Sequence, residues 1–307
     1  MSFDISVIIP FYNRSSFLHR LLDSVYQQTL KPTHVYIIDN GSNIDEAKKA
    51  YMVIKEFTKI KEIKINYLST LKTGNANYAR NLGIDIADTR YLAYLDSDDW
   101  WEPSHLEKSI TILKHSSKTA IYGGANVIAV LKKQYRSFDV NSTSGPASFL
   151  FGDPRGFAQT SSYIIDTTRC EDGVPRWDED LKRNQDYDFF FSIYYKSNGW
   201  CFINDIPTTN IDWRTGGSKN VDFASKIKFY EKWNSYFSRK EKRNYSYEIL
   251  KYASFTNKDY DFFVFYRKLY LSTFAAPSIA ELLNTNYTYL TFIKKLKLLL
   301  KFSLGSK

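Results

Sequence analysis

Cysteine and long apolar runs are both scarce in this chain of 307 residues, and each shortage excludes a class of protein. The two cysteines, Cys170 and Cys201, have no metal-type spacing, which excludes a disulfide framework and a cysteine zinc site and is typical of reduced thiols in the cytosol. No window reaches the roughly 18 apolar residues that span a bilayer. The first residues also lack the basic and apolar segments of a signal peptide. We therefore expect a cytoplasmic protein.

Acidic residues are outnumbered: 42 Lys and Arg stand against 33 Asp and Glu, which gives a net charge of +9. A basic balance favours an anionic partner, which is a nucleic acid, an anionic membrane surface or a phosphorylated small molecule. Hydrophobic residues make up 43% of the chain, which is enough for a sizeable core and argues against disorder over its whole length. The length fits one large α/β domain with a smaller appendage.

Short apolar strands alternate with amphipathic helices in the first part of the chain. Strands are predicted at 5–9, 35–38, 63–68 and 91–95. Helices are predicted at 15–28, in the stretch that ends near residue 57, at 75–87 and at 106–113. This alternation is the signature of an α/β fold with a mostly parallel, doubly wound sheet, in which ligands bind at the carboxyl ends of the strands.

The middle of the chain is less regular. Its pattern predicts strands at 120–127 and 162–165, a loop at 145–156 and a helix at 181–195. From about residue 221 the composition shifts towards Lys, Tyr and Phe at helical spacing with few glycines, which predicts an appended helical region that runs to residue 307.

Three carboxylates lie within Asp96-Ser97-Asp98-Asp99, directly after a predicted buried strand. Like charges this close repel one another, so a divalent cation or a set of hydrogen-bond donors should compensate them. Oxygen ligands suit Mg²⁺ or Mn²⁺, which proteins hold through one or two carboxylates together with substrate phosphates. The alternative is a solvated acidic turn that caps the helix beginning near Pro103. Asp39 also follows a predicted strand, which places both features at one edge of the sheet.

Four segments, taken in order, resemble glycosyltransferase family 2, the inverting enzymes with a GT-A fold. The segment 6–14 (SVIIPFYNR) looks like the family's opening strand, and 37–42 (IIDNGS) is similar to its Val-Asp-Asp-Gly-Ser motif. Gly74 with Ala79-Arg80-Asn81-Leu82-Gly83 resembles its Gly…Ala-Arg-Asn-x-Gly segment, and 95–99 (LDSDD) resembles its Asp-x-Asp motif. The resemblance implies a GT-A domain at 1–220, made of a nucleotide-binding half at 1–116 and an acceptor half at 117–220, before the helical region at 221–307.

The resemblance implies a pocket for the nucleotide of a UDP-sugar donor. Asp39 is expected to accept a hydrogen bond from the N–H of the base, and Arg80 should lie beside the base or the diphosphate. Pro10 and Tyr12 are expected to line the base, and Asp96 should face the ribose.

The resemblance also implies a cation at the donor diphosphate. Asp98 is expected to hold Mn²⁺ or Mg²⁺, with Asp99 as a second ligand. Relatives often carry a His shortly after an Arg in the position of Arg214, but this chain has Gly216-Gly217 there. These glycines would suit a mobile loop that closes over the diphosphate, with Arg214 or Lys219 as its charge partner.

Direct displacement with inversion needs a general base that removes the proton of the acceptor hydroxyl. The family carries this base in a Glu-Asp pair that opens a helix, and the matching residues here are Gln185-Asp186, with Asp186 as the expected catalytic residue. Gln185 departs from the family's Glu, which removes a neighbouring charge. Asp188 is the reserve candidate, and the alternative is that both Asp residues decorate an amphipathic helix.

The predicted helix at 292–302 is basic and amphipathic. Lys294, Lys297 and Lys301 share one face, and leucines cover most of the remaining surface. This pattern is typical either of a helix that binds an anionic membrane surface or of a terminal helix docked on the protein. Peripheral contact with the inner face of the cell membrane would fit a lipid-linked acceptor, because relatives that build O-antigen or capsule units use polyprenyl-diphosphate sugars.

Together these features predict an inverting glycosyltransferase that moves a hexose or N-acetylhexosamine from a UDP-sugar to a saccharide acceptor in bacterial surface polysaccharide synthesis. A sugar-phosphate nucleotidyltransferase would place a Gly-rich loop after the first strand, where this chain has Phe11-Tyr12-Asn13-Arg14. A nucleic-acid-binding protein would explain the charge, but the lysines gather late in the chain and no binding motif is recognisable, so no nucleic-acid partner is expected. A nuclease built on the acidic cluster is a further alternative.

Overall fold

The computed structural model describes residues 4–59, 63–71, 75–129, 133–135, 137–203, 207–215, 222–253, 260–278, 281–282 and 285–286. The chain divides into two compact units. The first contains the residues up to 150 together with 156–229, and the second contains 151–155 and the residues from 230 onward. The basic helix predicted at 292–302, together with Gly74, Gly216-Gly217 and Lys219, lies outside the described residues.

Residues 5–94 alternate regularly between strands and helices. In chain order these are β1 (Ile5–Phe11), α1 (Ser15–Tyr26), β2 (His34–Asp39), α2 (Ile44–Phe57), β3 (Lys64–Ser69), α3 (Asn77–Ile86) and β4 (Tyr91–Tyr94). Every residue of β1 is buried, because this apolar run lies between two parallel neighbours and is covered on both faces. In α1 the apolar residues recur at helical spacing and form the buried face.

The chain beyond β4 has shorter and less regular elements. They are β5 (Trp100–Trp101), α4 (His105–His115), β6 (Ala120–Gly123), β7 (Ala125–Ile128), β8 (Lys133–Tyr135), α5 (Pro146–Phe151), β9 (Ile164–Asp166), α6 (Gln185–Lys196), β10 (Trp200–Ile203), β11 (Thr209–Asp212), α7 (Phe223–Trp233), α8 (Arg239–Ala253) and α9 (Tyr260–Leu271). In the second unit the rings of Phe151, Phe237 and Tyr245 pack together. Among the described residues, no helix combines the length and apolar character that crossing a membrane requires.

The strands form two sheets. A seven-stranded sheet has the order β10-β6-β9-β4-β1-β2-β3, and a four-stranded sheet has the order β5-β11-β7-β8. In the large sheet β9 runs antiparallel to both of its neighbours, and the other pairings are parallel. The α/β fold with a mostly parallel sheet is therefore as predicted. Since β1, β2 and β4 are parallel, their carboxyl ends lie at one edge of the sheet.

Three elements differ from the sequence prediction. The strand predicted at 120–127 is two strands, because the chain leaves the large sheet after Gly123 and enters the small sheet at Ala125. Part of the predicted loop at 145–156 is the short helix α5. The helix predicted from residue 181 begins only at Gln185, because Asn184 has left-handed backbone angles (φ 60°) and cannot belong to the helix.

At Gly83, helix α3 packs closely on the sheet. A Cβ added there would lie 2.5 Å from Cγ2 of Ile8, a buried β-branched side chain in the middle of β1. Gly123 offers a matched comparison, because a Cβ at that position would meet Ile203 Cβ at 3.6 Å, an ordinary contact.

We predict that Gly83→Ala destabilises the protein although alanine favours helix. Overpacking a core costs about 1–3 kcal/mol, and the gain in helix propensity offsets about 1 kcal/mol of it. The expected result is a lower midpoint of urea unfolding for Gly83→Ala and an unchanged midpoint for Gly123→Ala. A Gly83→Ala variant as stable as the wild type would show that α3 is free to move away from β1.

Candidate active site

A cleft of about 420 Å³ opens at the carboxyl edge of the large sheet. Its walls come from the loop after β1, the end of β2, the start of α3, the acidic turn after β4, the segment before α6 and the end of β11. The lining residues are Pro10, Phe11, Tyr12, Arg14, Asn40, Asn75, Ala76, Arg80, Asp96, Ser97, Asp98, Asp99, Gln159, Arg183, Gln185, Ile211, Asp212 and Trp213. Six of the predicted site residues are thus brought together in one cavity.

Asp39, the last residue of β2, is held beside the cleft and is only 1% exposed. Its Oδ1 accepts a hydrogen bond from the backbone N–H of Ser42 at 2.9 Å, and its Oδ2 accepts one from the Tyr67 hydroxyl at 2.5 Å. Burial, followed by this hydrogen bond, raises the pKa of Tyr67. Asn40, the next residue, lines the cleft. The orientation of the Asp39 carboxylate is therefore fixed by Tyr67 of β3 and by Ser42 in the turn that follows β2.

Arg80 projects from α3 into the cleft and is 3% exposed. One guanidinium nitrogen donates to Asn77 Oδ1 at 3.0 Å, and the other terminal nitrogen forms an ion pair with Asp96 at 2.7 Å. The guanidinium also lies 4.4 Å from the ring centroid of Trp177, whose ring stacks on Phe189 of α6 at 4.0 Å. The contacts of this single side chain therefore connect α3, the acidic turn and α6.

The acidic turn is compensated by hydrogen-bond donors and by arginine. Asp98 forms an ion pair with Arg14, which stands in the loop between β1 and α1. Asp99 is 2% exposed, and it accepts hydrogen bonds from Ser161 Oγ at 2.5 Å and from the backbone N–H of Asp212 at 3.2 Å. Burial raises the pKa of Asp99 well above its usual range, and the neighbouring Asp96 and Asp98 charges add to this.

Asp212 ends β11 and brings two more arginines to the cleft. Arg214 donates to it twice, with Nε at 2.9 Å and Nη2 at 2.6 Å, and Arg20 approaches it at 3.2 Å. The hydrogen bonds from Arg214 lower the pKa of Asp212 to about 2. Arg20 also donates to the backbone carbonyl of Asp98 at 2.8 Å. The predicted charge partner Arg214 is therefore engaged with an acidic residue of its own segment.

Asp186 lies in the first turn of α6, directly after the cleft residue Gln185. Burial raises the pKa of Asp186, while the backbone N–H of Tyr187 and the charge of Arg80 lower it. Asp188, the reserve candidate, is completely buried. Of the two carboxylates, Asp186 is thus the one that is partly exposed and next to the cleft.

Several residues that shape the site had been given no role from the sequence. They are Arg14, Arg20, Tyr67, Ser161 and Asp212. Asp212 could have been found by the signal that identified Asp39, because it also ends a strand. Tyr67 and Ser161 carry no such signal, since they reach the site through strand pairing and a turn that brings distant parts of the chain together.

The sequence of this chain matches a protein family and several of its characterised members. The model described as Glycosyl transferase family 2 matches residues 6–162, just over half of the chain. The amylovoran biosynthesis glycosyltransferase AmsB of Erwinia amylovora is 33% identical over 191 residues, 60% of this chain and 61% of AmsB. The poly(ribitol-phosphate) beta-N-acetylglucosaminyltransferase TarP of Staphylococcus aureus is 32% identical over 126 residues, 39% of this chain and 36% of TarP. The chain thus spans less than two thirds of these relatives' length.

Solved structures give the same answer for the fold. The crystal structure of S. aureus TarS 1–349 in complex with UDP has a TM-score of 0.64 to this chain at 14% identity, covering 99% of this chain and 92% of the TarS chain. This likeness confirms the GT-A fold predicted from the sequence. With the ordered motifs, the shared fold and the family match over 6–162, the chain belongs to glycosyl transferase family 2.

Proposed function

We propose that this protein is an inverting glycosyltransferase that moves a hexose or N-acetylhexosamine from a UDP-sugar to a saccharide acceptor in bacterial surface polysaccharide synthesis. The observation that carries the proposal is the meeting of Arg80, Asp96 and Asp98 in one cleft, with Asp39 behind one wall and Asp186 beside another. AmsB is named for amylovoran biosynthesis, TarP is named as an N-acetylglucosaminyltransferase, and TarS was solved with UDP. These names support both the reaction class and the donor.

The donor nucleotide would lie between Pro10, Tyr12 and Arg80. Asp39 would accept the hydrogen bond of the uracil N–H, because its two oxygens keep lone pairs beyond those used by Ser42 and Tyr67. A carboxylate with a fixed orientation accepts from uracil N–H but opposes a base that presents an acceptor there. This group is therefore expected to favour uracil over adenine and cytosine, whose ring nitrogen at that edge is an acceptor.

A divalent cation fits the residues present as a shared ligand of protein and donor. Among the described residues, no three His, Cys, Asp or Glu side chains are grouped to hold a metal by themselves. Asp98 would supply one carboxylate, and the diphosphate and water would complete the ligand set, as is usual for Mg²⁺ and Mn²⁺. Asp99 is the less accessible of the two predicted ligands, because both of its oxygens accept hydrogen bonds. When bound, the ion would supply Lewis-acid stabilisation of the departing diphosphate.

Asp186 would act as the general base. It would take the proton of the acceptor hydroxyl while that oxygen forms a bond to the anomeric carbon and the bond to the UDP oxygen breaks. Attack from the face opposite the leaving group inverts the anomeric centre. The raised pKa of Asp186 makes it a stronger base than an exposed Asp, while it remains ionised above that pKa. A saccharide acceptor, free or lipid-linked, would enter on the α6 side.

We predict that the protein binds UDP in preference to ADP and CDP, and that Asp39→Ala weakens this binding. Loss of a buried acceptor for the base N–H should cost about 1–3 kcal/mol of binding free energy. Calorimetric titration of UDP with Mn²⁺ measures it, and Asp45→Ala, which removes an exposed Asp of α2, is the matched control. Equal competition by ADP or CDP would refute the assignment of the base.

The same titration in EDTA tests the cation. Affinity for UDP should fall in EDTA and in Asp98→Ala, and the two effects should not add, because both remove one bridge to the diphosphate. A screen of UDP-glucose, UDP-galactose, their N-acetylated forms and GDP-mannose, read as donor hydrolysis or transfer, then identifies the sugar. Undiminished UDP affinity in EDTA would contradict the role proposed for Asp98.

We predict that Asp186→Asn binds UDP normally but transfers sugar about 10²–10⁴-fold more slowly, because a general base acts only in the transition state. The wild-type rate should rise with pH as Asp186 loses its proton, with the midpoint above that of an ordinary Asp because burial raises its pKa. Single-turnover rates at saturating donor and acceptor across pH check both points.

Asp188→Asn is the control for this experiment, with thermal unfolding used to confirm that the buried substitution still folds. It should retain more activity than Asp186→Asn and keep the wild-type pH profile. A slow Asp188→Asn beside a fully active Asp186→Asn would transfer the catalytic role to Asp188. Full activity of both variants would remove α6 from the mechanism.

A further inference from the structure

The charged side chains that line the cleft are paired, with one exception. Arg14 pairs with Asp98, Arg80 with Asp96, and Asp212 with Arg20 and Arg214. Asp99 is hydrogen-bonded to Ser161 and to the backbone of Asp212. Arg183 lines the same cleft and is exposed, and within the described parts of the chain its guanidinium has no acidic or hydrogen-bonding partner.

The two neighbours of Arg183 are each anchored, one through its backbone and one through its side chain. The N–H of Lys182 donates to Ser225 Oγ at 2.9 Å, and Lys226 Nζ contacts Asn184 Oδ1 at 3.2 Å. Asn184 itself is buried and turns the chain through left-handed backbone angles. With both neighbours held, the Cα of Arg183 has a fixed place at the wall of the cleft, and less backbone freedom is lost when a ligand binds.

The position of Arg183 assigns it to the acceptor side of the cleft. It stands three residues before Asp186, which must touch the acceptor hydroxyl if it is the base. Three other arginines, Arg14, Arg20 and Arg214, gather around Asp98 and Asp212, on the side where the donor diphosphate is expected. These three arginines suffice to meet the charge of a donor diphosphate. Arg183 is therefore available to bind a different anion.

We propose that Arg183 binds an anionic group of the acceptor, either a phosphate or a sugar carboxylate, close to the hydroxyl that is glycosylated. A guanidinium recognises both groups through two parallel hydrogen bonds, so the expected ligand is an oxyanion, either planar or tetrahedral. Lys226, one turn into α7 and in contact with Asn184, adds a second positive charge near the same segment. This inference rests on the proposed function, since it uses Asp186 to define the acceptor side.

The test compares Arg183→Gln with Lys182→Gln. The two variants lose the same charge at adjacent exposed positions, but only Arg183 lines the cleft. Methyl phosphate and glucuronate are titrated separately into each UDP-saturated protein and followed by chemical-shift changes. We expect Arg183→Gln to weaken binding of at least one probe roughly tenfold, the loss expected for a charge-assisted contact, and Lys182→Gln to stay within about twofold of the wild type. The probe that the wild type binds more tightly identifies the source of the anion.

Three results would overturn the inference. They are equal probe affinities for the two variants, failure of the wild type to bind either probe, and a loss of UDP affinity in Arg183→Gln as large as its loss of probe affinity, which would assign Arg183 to the donor. Wild-type protein that does not bind UDP would instead refute the proposed function. In that case the same two variants are titrated without UDP, and their difference still decides whether Arg183 holds an anion.

Discussion

A buried carboxylate, Asp99, holds the acidic turn between the two sheets of the first unit. It accepts one hydrogen bond from Ser161, just before β9 of the large sheet, and one from the backbone N–H of Asp212, at the end of β11 in the small sheet. A carboxylate removed from water costs several kcal/mol unless such donors replace its hydration. These two hydrogen bonds to Asp99 fix the position of the turn. In that position Asp96 and Asp98 line the cleft.

Arginines then stabilise the carboxylates that face the cleft. Arg80 is buried against Trp177 and paired with Asp96, so it belongs as much to the core as to the proposed donor site. Arg14 is more exposed than Arg80 and pairs with Asp98, so it is the more easily displaced of the two. The same kind of contact thus serves two purposes: a buried arginine fixes the geometry, and an exposed one leaves room for a ligand.

The sequence predicts the first half of the fold well, because apolar strands such as β1 and amphipathic helices such as α1 carry strong local periodicity. It fails where structure depends on distant partners. The break after Gly123 is marked locally only by the pair Gly123-Gly124, and the sheet that each half joins is decided by distant strands. The candidate site divides in the same way: Asp39 and Asp98 follow strands in recognisable motifs, whereas Tyr67 and Ser161 gain their importance only when the folded chain brings them to those carboxylates.

The pairing of Arg14 with Asp98 has a consequence for how the cleft takes up ligands. Under the proposed function, Arg14 in the protein alone takes the place of the divalent cation beside Asp98, and Asp98 takes the place of the phosphate beside Arg14. If cation and diphosphate arrive together, each partner is released to the opposite charge that the ligand brings. Binding of the donor is then an exchange of ion partners, because one protein ion pair and one ligand ion pair are replaced by two ion pairs between protein and ligand. Asp98 and Arg14 each keep a partner of opposite charge throughout.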